Sequence, residues 1–128
     1  MNKTAKIQIG ERIIGPGLPM YIIAELSANH GGDLDVALQS VDAIAESGAD
    51  AVKVQTYTAD SMTLDSDDPA FMARSDSLWA GTRLYDLYRE GALPWEWHEP
   101  IQRRARERGL AFFSSPFDVG TVDRLQQL

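Results

Sequence analysis

The sequence predicts an α/β fold. Three short apolar runs, Tyr21-Ile-Ile-Ala-Glu25, Ala51-Val-Lys-Val-Gln55 and Leu110-Ala-Phe-Phe-Ser-Ser115, each turn polar at their C-terminal ends. Stretches with apolar residues at helical spacing separate them. Buried parallel strands that carry their polar residues at the C-terminal ends are the pattern of a (β/α)8 TIM barrel, whose chemistry sits on that face. The expected architecture is the N-terminal portion of such a barrel, preceded by a β-hairpin, with about three βα units present. Residues 1–20 are assigned to the N-terminal hairpin and loop, and residues 21–128 to an incomplete barrel domain.

The elements follow in order. Lys6-Ile-Gln-Ile9 and Arg12-Ile-Ile14 flank Gly10-Glu11, a two-residue hairpin signal. A lone hairpin is marginal, so it is expected to pack on the bottom of the barrel. Gly15-Pro-Gly-Leu-Pro19 is loop. In the first central strand, side chains alternate, so Tyr21, Ile23 and Glu25 share one face. Asn29-His-Gly-Gly32 signals a turn and Asp33 an N-cap. Leu34, Ala37, Leu38, Val41, Ile44 and Ala45 then mark a helix that stops at Ser47-Gly48.

In the second strand, Val52 and Val54 face the helices, while Ala51, Lys53 and Gln55 face the other way. Lysine is almost never fully buried unless paired, and an unpaired ammonium in a core costs several kcal/mol or loses its proton. An inward lysine therefore points to an anionic partner. Residues 56–77 form a long acidic connection, far beyond the ~2–6 residues usual between strand and helix, and are expected to be a lid or a disordered loop. Leu78, Leu84, Leu87 and Tyr88 suggest a short helix ending at Gly91.

A helix from Pro94 to Arg108 carries Trp95, Trp97, Ile101 and Ala105. Pro100 requires it to kink or to start later. Arg103, Arg104, Arg106 and Arg108 read as a solvated face rather than a phosphate site. In the third strand Ala111, Phe113 and Ser115 share a face, and the ladder is expected to end near Pro116. Asp118 or Thr121 caps a last helix containing Val122, Leu125 and Leu128. A closed barrel takes about 250 residues and eight strands, so the 128 residues are expected to be the start of a longer enzyme.

Composition narrows the function. The net charge of −7 argues against a nucleic-acid surface. The chain has no cysteine, which excludes a disulfide framework, a thiolate zinc site and a cysteine nucleophile within it. No apolar run approaches the ~20 residues of a membrane span, and Met1–Gly10 lacks the apolar stretch of a secretory signal. The expected location is cytoplasmic, with no membrane partner.

Five motifs carry a resemblance. Ala24-Glu-Leu-Ser-Ala-Asn-His-Gly31, Lys53-Val-Gln-Thr-Tyr-Thr58 with Ser61-Met-Thr-Leu-Asp65, Leu78-Trp79 before Leu84-Tyr-Asp-Leu-Tyr88, Pro94-Trp-Glu-Trp-His98 and Phe113-Ser-Ser-Pro-Phe117 occur in one order. They resemble the opening motifs of the sialic acid synthase family, and in their finer features its pseudaminic acid synthase branch. The likeness runs over nearly the whole chain from Tyr21.

The resemblance implies a (β/α)8 barrel, a small C-terminal antifreeze-like domain and a domain-swapped homodimer. It implies phosphoenolpyruvate and an N-acylated amino sugar as partners, and a divalent metal, Mn or Mg, as cofactor. The implied reaction joins phosphoenolpyruvate to 2,4-diacetamido-2,4,6-trideoxy-altrose, giving pseudaminic acid and phosphate. Residue by residue, Lys53 falls on the lysine that holds phosphoenolpyruvate, and Ser115 on a hydroxyl for the same ligand. Glu25 and Gln55 fall where the family contacts the sugar, with Glu25 placed for proton handling. The family's two metal-binding histidines, further phosphate ligands and the C-terminal domain's arginine lie beyond Leu128, so the metal's ligands are expected outside this chain. The 128 residues alone are expected to be inactive.

Each residue has a plainer role beside the functional one. Lys53 can pair with Glu25 as a structural ion pair. Gln55 can satisfy loop backbone, and Ser115 can serve as a helix-entry hydroxyl. Asn29 and His30 fit turn-forming roles better than ligation. His98 reads as a surface or packing residue, and the tryptophans, Tyr85 and Tyr88 read as core or lid packing. Three other functions compete. They are an N-acetylneuraminate or legionaminic acid synthase, a metal-dependent barrel of another class, and a non-catalytic truncated chain that binds a ligand or partner.

Overall fold

The computed structural model describes residues 6–128; the first five residues of the predicted N-terminal segment lie outside the described residues. The hairpin forms as expected, with β1 (Ile7–Ile9) antiparallel to β2 (Arg12–Ile14). It is anchored by Arg12, whose guanidinium pairs with Asp50 just before the second barrel strand. Asp50 also accepts the Ile22 backbone N–H at 2.8 Å. The hairpin therefore sits at the N-terminal end of the strands, opposite the face where polar residues gather.

Three parallel strands follow, β3 (Ile23–Glu25), β4 (Ala51–Thr56) and β5 (Ala111–Pro116), in spatial order β3-β4-β5. Their register sets Glu25 beside Lys53, Lys53 beside Phe113, and Gln55 beside Ser115. Helix α1 (Leu34–Glu46) connects β3 to β4, and α4 (His98–Glu107) precedes β5. Both helices pack on the face that carries Val52 and Val54. That core also holds Leu26, Ala37, Val41, Ile101 and Ala105, with Val41, Val52, Val54 and Ile101 fully buried.

Local signals account for the helix ends. The Asp33 side chain accepts the N–H groups of Asp35 and Val36, and Gly48 leaves α1 at φ +83°, a conformation that favours glycine. Pro100 is the third residue of α4, within the first turn, where an N–H has no helical partner. The helix thus starts later than Pro94, after the 3₁₀ turn Trp95–Trp97, and needs no kink. Asp118 caps α5 (Val119–Leu125) by accepting the Thr121 N–H at 2.8 Å.

Three expectations need correction. The acidic connection is not a structureless loop. It contains α2 (Ala59–Met62), opened by a reciprocal Thr58–Ser61 cap, and a 3₁₀ turn at Pro69–Phe71. Two of its carboxylates are held by Arg83, which bonds Asp65 at 2.8 Å and Asp67 at 3.3 Å and also reaches Asp86, beyond the connection, at 2.7 Å. Leu78 stands outside the next helix, α3 (Leu84–Gly91), and is 95% exposed. The α4 arginines are not all solvated. Arg104 and Arg108 pair with Asp42, and Arg108 also with Glu46, tying α4 to α1. No helix among the described residues is long and apolar enough to cross a membrane.

Candidate active site

The β3 and β4 strand ends bring together the residues that alternation placed on one face. The Lys53 ammonium forms an ion pair with the Glu25 carboxylate. The Ser115 hydroxyl lies 3.5 Å from Lys53 Nζ, at the outer limit of a hydrogen bond. Gln55 stands beside Ser115 in the ladder, one alternation beyond Lys53. All four are only partly buried. The same face carries Ile23 and Phe113, 46% and 39% exposed.

The ion pair is not saturated. Glu25 Oε1 is buried and has no hydrogen-bond partner among the described residues. A buried carboxylate oxygen without a donor is costly. Lys53 has three donor positions, of which Glu25 and a loosely held Ser115 occupy two. The arrangement offers a cation and a hydroxyl to an anion, and a carboxylate oxygen to a hydroxyl or amide donor.

The β3–α1 loop shapes the mouth beside this pair. Ser27 has φ +51°, and Gly31 and Gly32 follow at +56° and +73°, so the loop folds back sharply. Asn29 donates to the Leu26 carbonyl, and His30 Nδ1 accepts the Gly32 N–H at 3.1 Å. Both are turn-forming roles, as expected. The accepting Nδ1 fixes the proton on Nε2. His30 is almost wholly buried, with its ring edge-on to Trp97. A groove of about 570 Å³ opens next to the loop, lined by Gly31, Gly32, Tyr57, Trp79 and Tyr88 among others. Trp79 is thus a groove wall, not core packing, and is 54% exposed. Tyr57 packs edge-on against Tyr88 and Phe117, and burial raises its phenol above the ordinary tyrosine range.

His98, read as surface or packing, takes the packing role and is fully buried; its hydrogen bonds were not read from the sequence. Its ring stacks on Trp95, whose outer face carries the Arg124 guanidinium. Nδ1 lies 3.0 Å from the Trp95 carbonyl and Nε2 lies 2.6 Å from Thr56 Oγ1. A carbonyl only accepts, so Nδ1–H donates and Nε2 accepts the Thr56 hydroxyl. Thr56 Oγ1 is in turn 2.6 Å from Ser114 Oγ. The helical position of His98 on the Ile101 and Ala105 stripe was the one available signal.

A divalent metal does not fit the described residues. Among them no group of three His, Cys, Asp or Glu side chains is placed to hold an ion. His98 has both ring nitrogens engaged, and His30 Nδ1 is committed to its own turn.

The NeuB family model matches residues 40–128. The chain is 47% identical over 108 residues to a pseudaminic acid synthase of Campylobacter jejuni, covering 84% of this chain and 31% of that protein. It is 46% identical over 110 residues to the pseudaminic acid synthase of Helicobacter pylori, covering 86% of this chain and 32% of that one. A solved N-acetylneuraminic acid synthetase from Leptospira borgpetersenii, in complex with citrate, superposes with a TM-score of 0.77 at 27% identity, over 97% of this chain and 38% of the other. The chain spans about a third of the length of the curated relatives it matches.

Proposed function

The chain belongs to the NeuB family, the sialic acid synthases, and from that premise we propose that it supplies the first βα units of a pseudaminic acid synthase. The reaction is the condensation of phosphoenolpyruvate with 2,4-diacetamido-2,4,6-trideoxy-altrose. The alternative within the family, an N-acetylneuraminate or legionaminic acid synthase, runs the same chemistry on another sugar. The observation that carries the reading is the Lys53 ammonium held between Glu25 and Ser115 at the strand ends. The identity to pseudaminic acid synthases selects the branch.

In this reading the enol carbon of phosphoenolpyruvate attacks the aldehyde carbon of the open-chain sugar, forming the C–C bond. The cation left at the pyruvyl carbon takes up water, and phosphate departs by cleavage of its C–O bond. Lys53 and Ser115 bind the anionic ligand. A fixed ammonium in a partly water-excluded mouth is worth more than one in bulk water, because little reorganisation is needed as charge moves. Gln55 offers both a donor and an acceptor to the sugar's acetamido or hydroxyl groups. The free oxygen of Glu25 accepts a hydrogen bond near the aldehyde and can relay to the new hydroxyl the proton that the added water releases. The family's divalent metal, Mn or Mg, is assigned no ligand in residues 6–128, and no step is drawn through it.

The longer protein that carries this chain is the enzyme, acting as a homodimer. The test is phosphate release from phosphoenolpyruvate by that protein, with manganese and each sugar separately. Release with the diacetamido altrose alone is expected. Release with N-acetylmannosamine alone moves the assignment to a sialic acid synthase, and release with neither overturns it.

A further inference from the structure

Behind the candidate site, on the helix-facing side of the sheet, a chain of hydroxyls runs from half-buried Ser114 through buried Thr56 and ends on His98. Ser114 donates to Thr56 Oγ1 at 2.6 Å, and Thr56 donates to His98 Nε2 at 2.6 Å. Ser114 Oγ also reaches the Val54 carbonyl at 3.2 Å. Thr56 and His98 are buried. The two hydroxyl residues are the immediate chain neighbours of Gln55 and Ser115, which point to the opposite face.

The position of this chain matters for the ladder. At the ends of β4 and β5, Thr56 pairs with Pro116. The ladder between the two strands ends at this rung, just past the residues they deliver to the site. The side-chain chain crosses from β5 to β4 to α4 at that level. Hydrogen bonds inside a dry region hold geometry more firmly than the same bonds in water.

We infer that His98 is a positioning residue for phosphoenolpyruvate binding: its Nε2, by accepting the Thr56 hydroxyl, holds the end of β5 against β4 and so sets the reach of Ser115. It touches no substrate and acts through Thr56 and Ser114. This inference rests on the synthase reading of the preceding section.

The test uses the longer synthase that carries this chain. His98→Gln places an amide oxygen near the Nε2 position. His98→Asn is one carbon shorter, keeps the contact to the Trp95 carbonyl and withdraws the acceptor from Thr56. Thr56→Val and Ser114→Ala interrupt the chain without touching the histidine, and stand in should His98→Asn not fold. Steady-state kinetics and phosphoenolpyruvate binding by calorimetry are read alongside melting temperature. The expected result is a rise of about tenfold in KM and Kd for phosphoenolpyruvate in the Asn, Val and Ala variants, equivalent to about 1.4 kcal/mol. The sugar KM stays unchanged, and His98→Gln stays within about threefold of wild type. Melting temperatures that fall with unchanged phosphoenolpyruvate KM overturn the inference, as does an equal rise in both substrates' KM. Wild-type protein that neither binds nor turns over phosphoenolpyruvate refutes the synthase reading itself, and the inference falls with it.

Discussion

The two faces of β4 differ in every physical respect that distinguishes a core from a site. Val52 and Val54 look outward to α1 and α4 and are fully buried. Lys53 and Gln55, interleaved with them, look the other way and keep partial exposure. On the outer face apolar side chains meet apolar side chains, and the polar groups found there, His98, Thr56 and Ser114, are bonded to one another. On the inner face a lysine pairs with a glutamate that retains an orphan oxygen. The outer face holds the strands in place, and the inner face uses the position so fixed.

This contrast predicts that damage to the apolar part of the outer layer appears first as lost stability, without a specific change in substrate affinity. The largest effect is expected for Ile101→Ala. Ile101 is fully buried in the core, and truncating such a side chain costs about 2–5 kcal/mol. Chemical denaturation of the proposed synthase should show that loss, while the KM for phosphoenolpyruvate in the surviving folded protein stays unchanged. A KM that rises with the loss of stability would break the separation of the two faces.

A second effect concerns pH. Burial pushes the His98 imidazole below its ordinary value of 6.5. The folded state then holds His98 neutral while the unfolded chain takes up a proton below about pH 6.5. Stability from this group is present above that pH and is lost as pH falls towards the folded-state value. One group changes stability by at most about 1.4 kcal/mol per pH unit. Melting temperature against pH should fall less steeply below 6.5 in His98→Gln than in wild type. Identical acid limbs would show that His98 is not held neutral.

The helix ends give a smaller effect. Asp33 accepts two N–H groups at the start of α1, and Asp33→Ala should cost about 1 kcal/mol in a denaturation experiment. Smallest is Arg104→Ala. Arg104 pairs with Asp42 at 2.9 Å but is 37% exposed, so solvent screens the pair and about 0.5 kcal/mol is expected. A loss of several kcal/mol would mean that the α1–α4 clamp matters more than the buried core beneath it.

The sequence carried the strand faces well because alternation is a local rule. Once Lys53 faces inward, Glu25 and Ser115 follow from their own strands, and the register confirms that they meet. The α1 cap at Asp33 and the stop at Gly48 were legible for the same reason. The hydrogen bonds of His98 were not legible, because its partners Thr56 and Trp95 come together only when α4 docks behind β4. Arg104 and Arg108 read as solvent-facing until α1 supplied their carboxylates. The Thr58–Ser61 cap of α2 was local, but a serine at the third helical position is a weaker sign than a glutamate there. The acidic connection looked unstructured because its charges seemed free. Arg83, distant in sequence from Asp65 and Asp67, neutralises them.

The central claim is that adjacent residues of one strand do different work, and Lys53→Ala against Val54→Ala tests it most directly. Both variants would be made in the full synthase, with phosphate release from phosphoenolpyruvate and unfolding free energy measured on each. Lys53→Ala should lower kcat/KM by about 10²–10³-fold with little loss of stability. Val54→Ala should lose about 2 kcal/mol of stability with kcat/KM per folded molecule nearly unchanged. Unchanged kinetics in Lys53→Ala would reduce the Lys53–Glu25 contact to a structural ion pair and contradict the account.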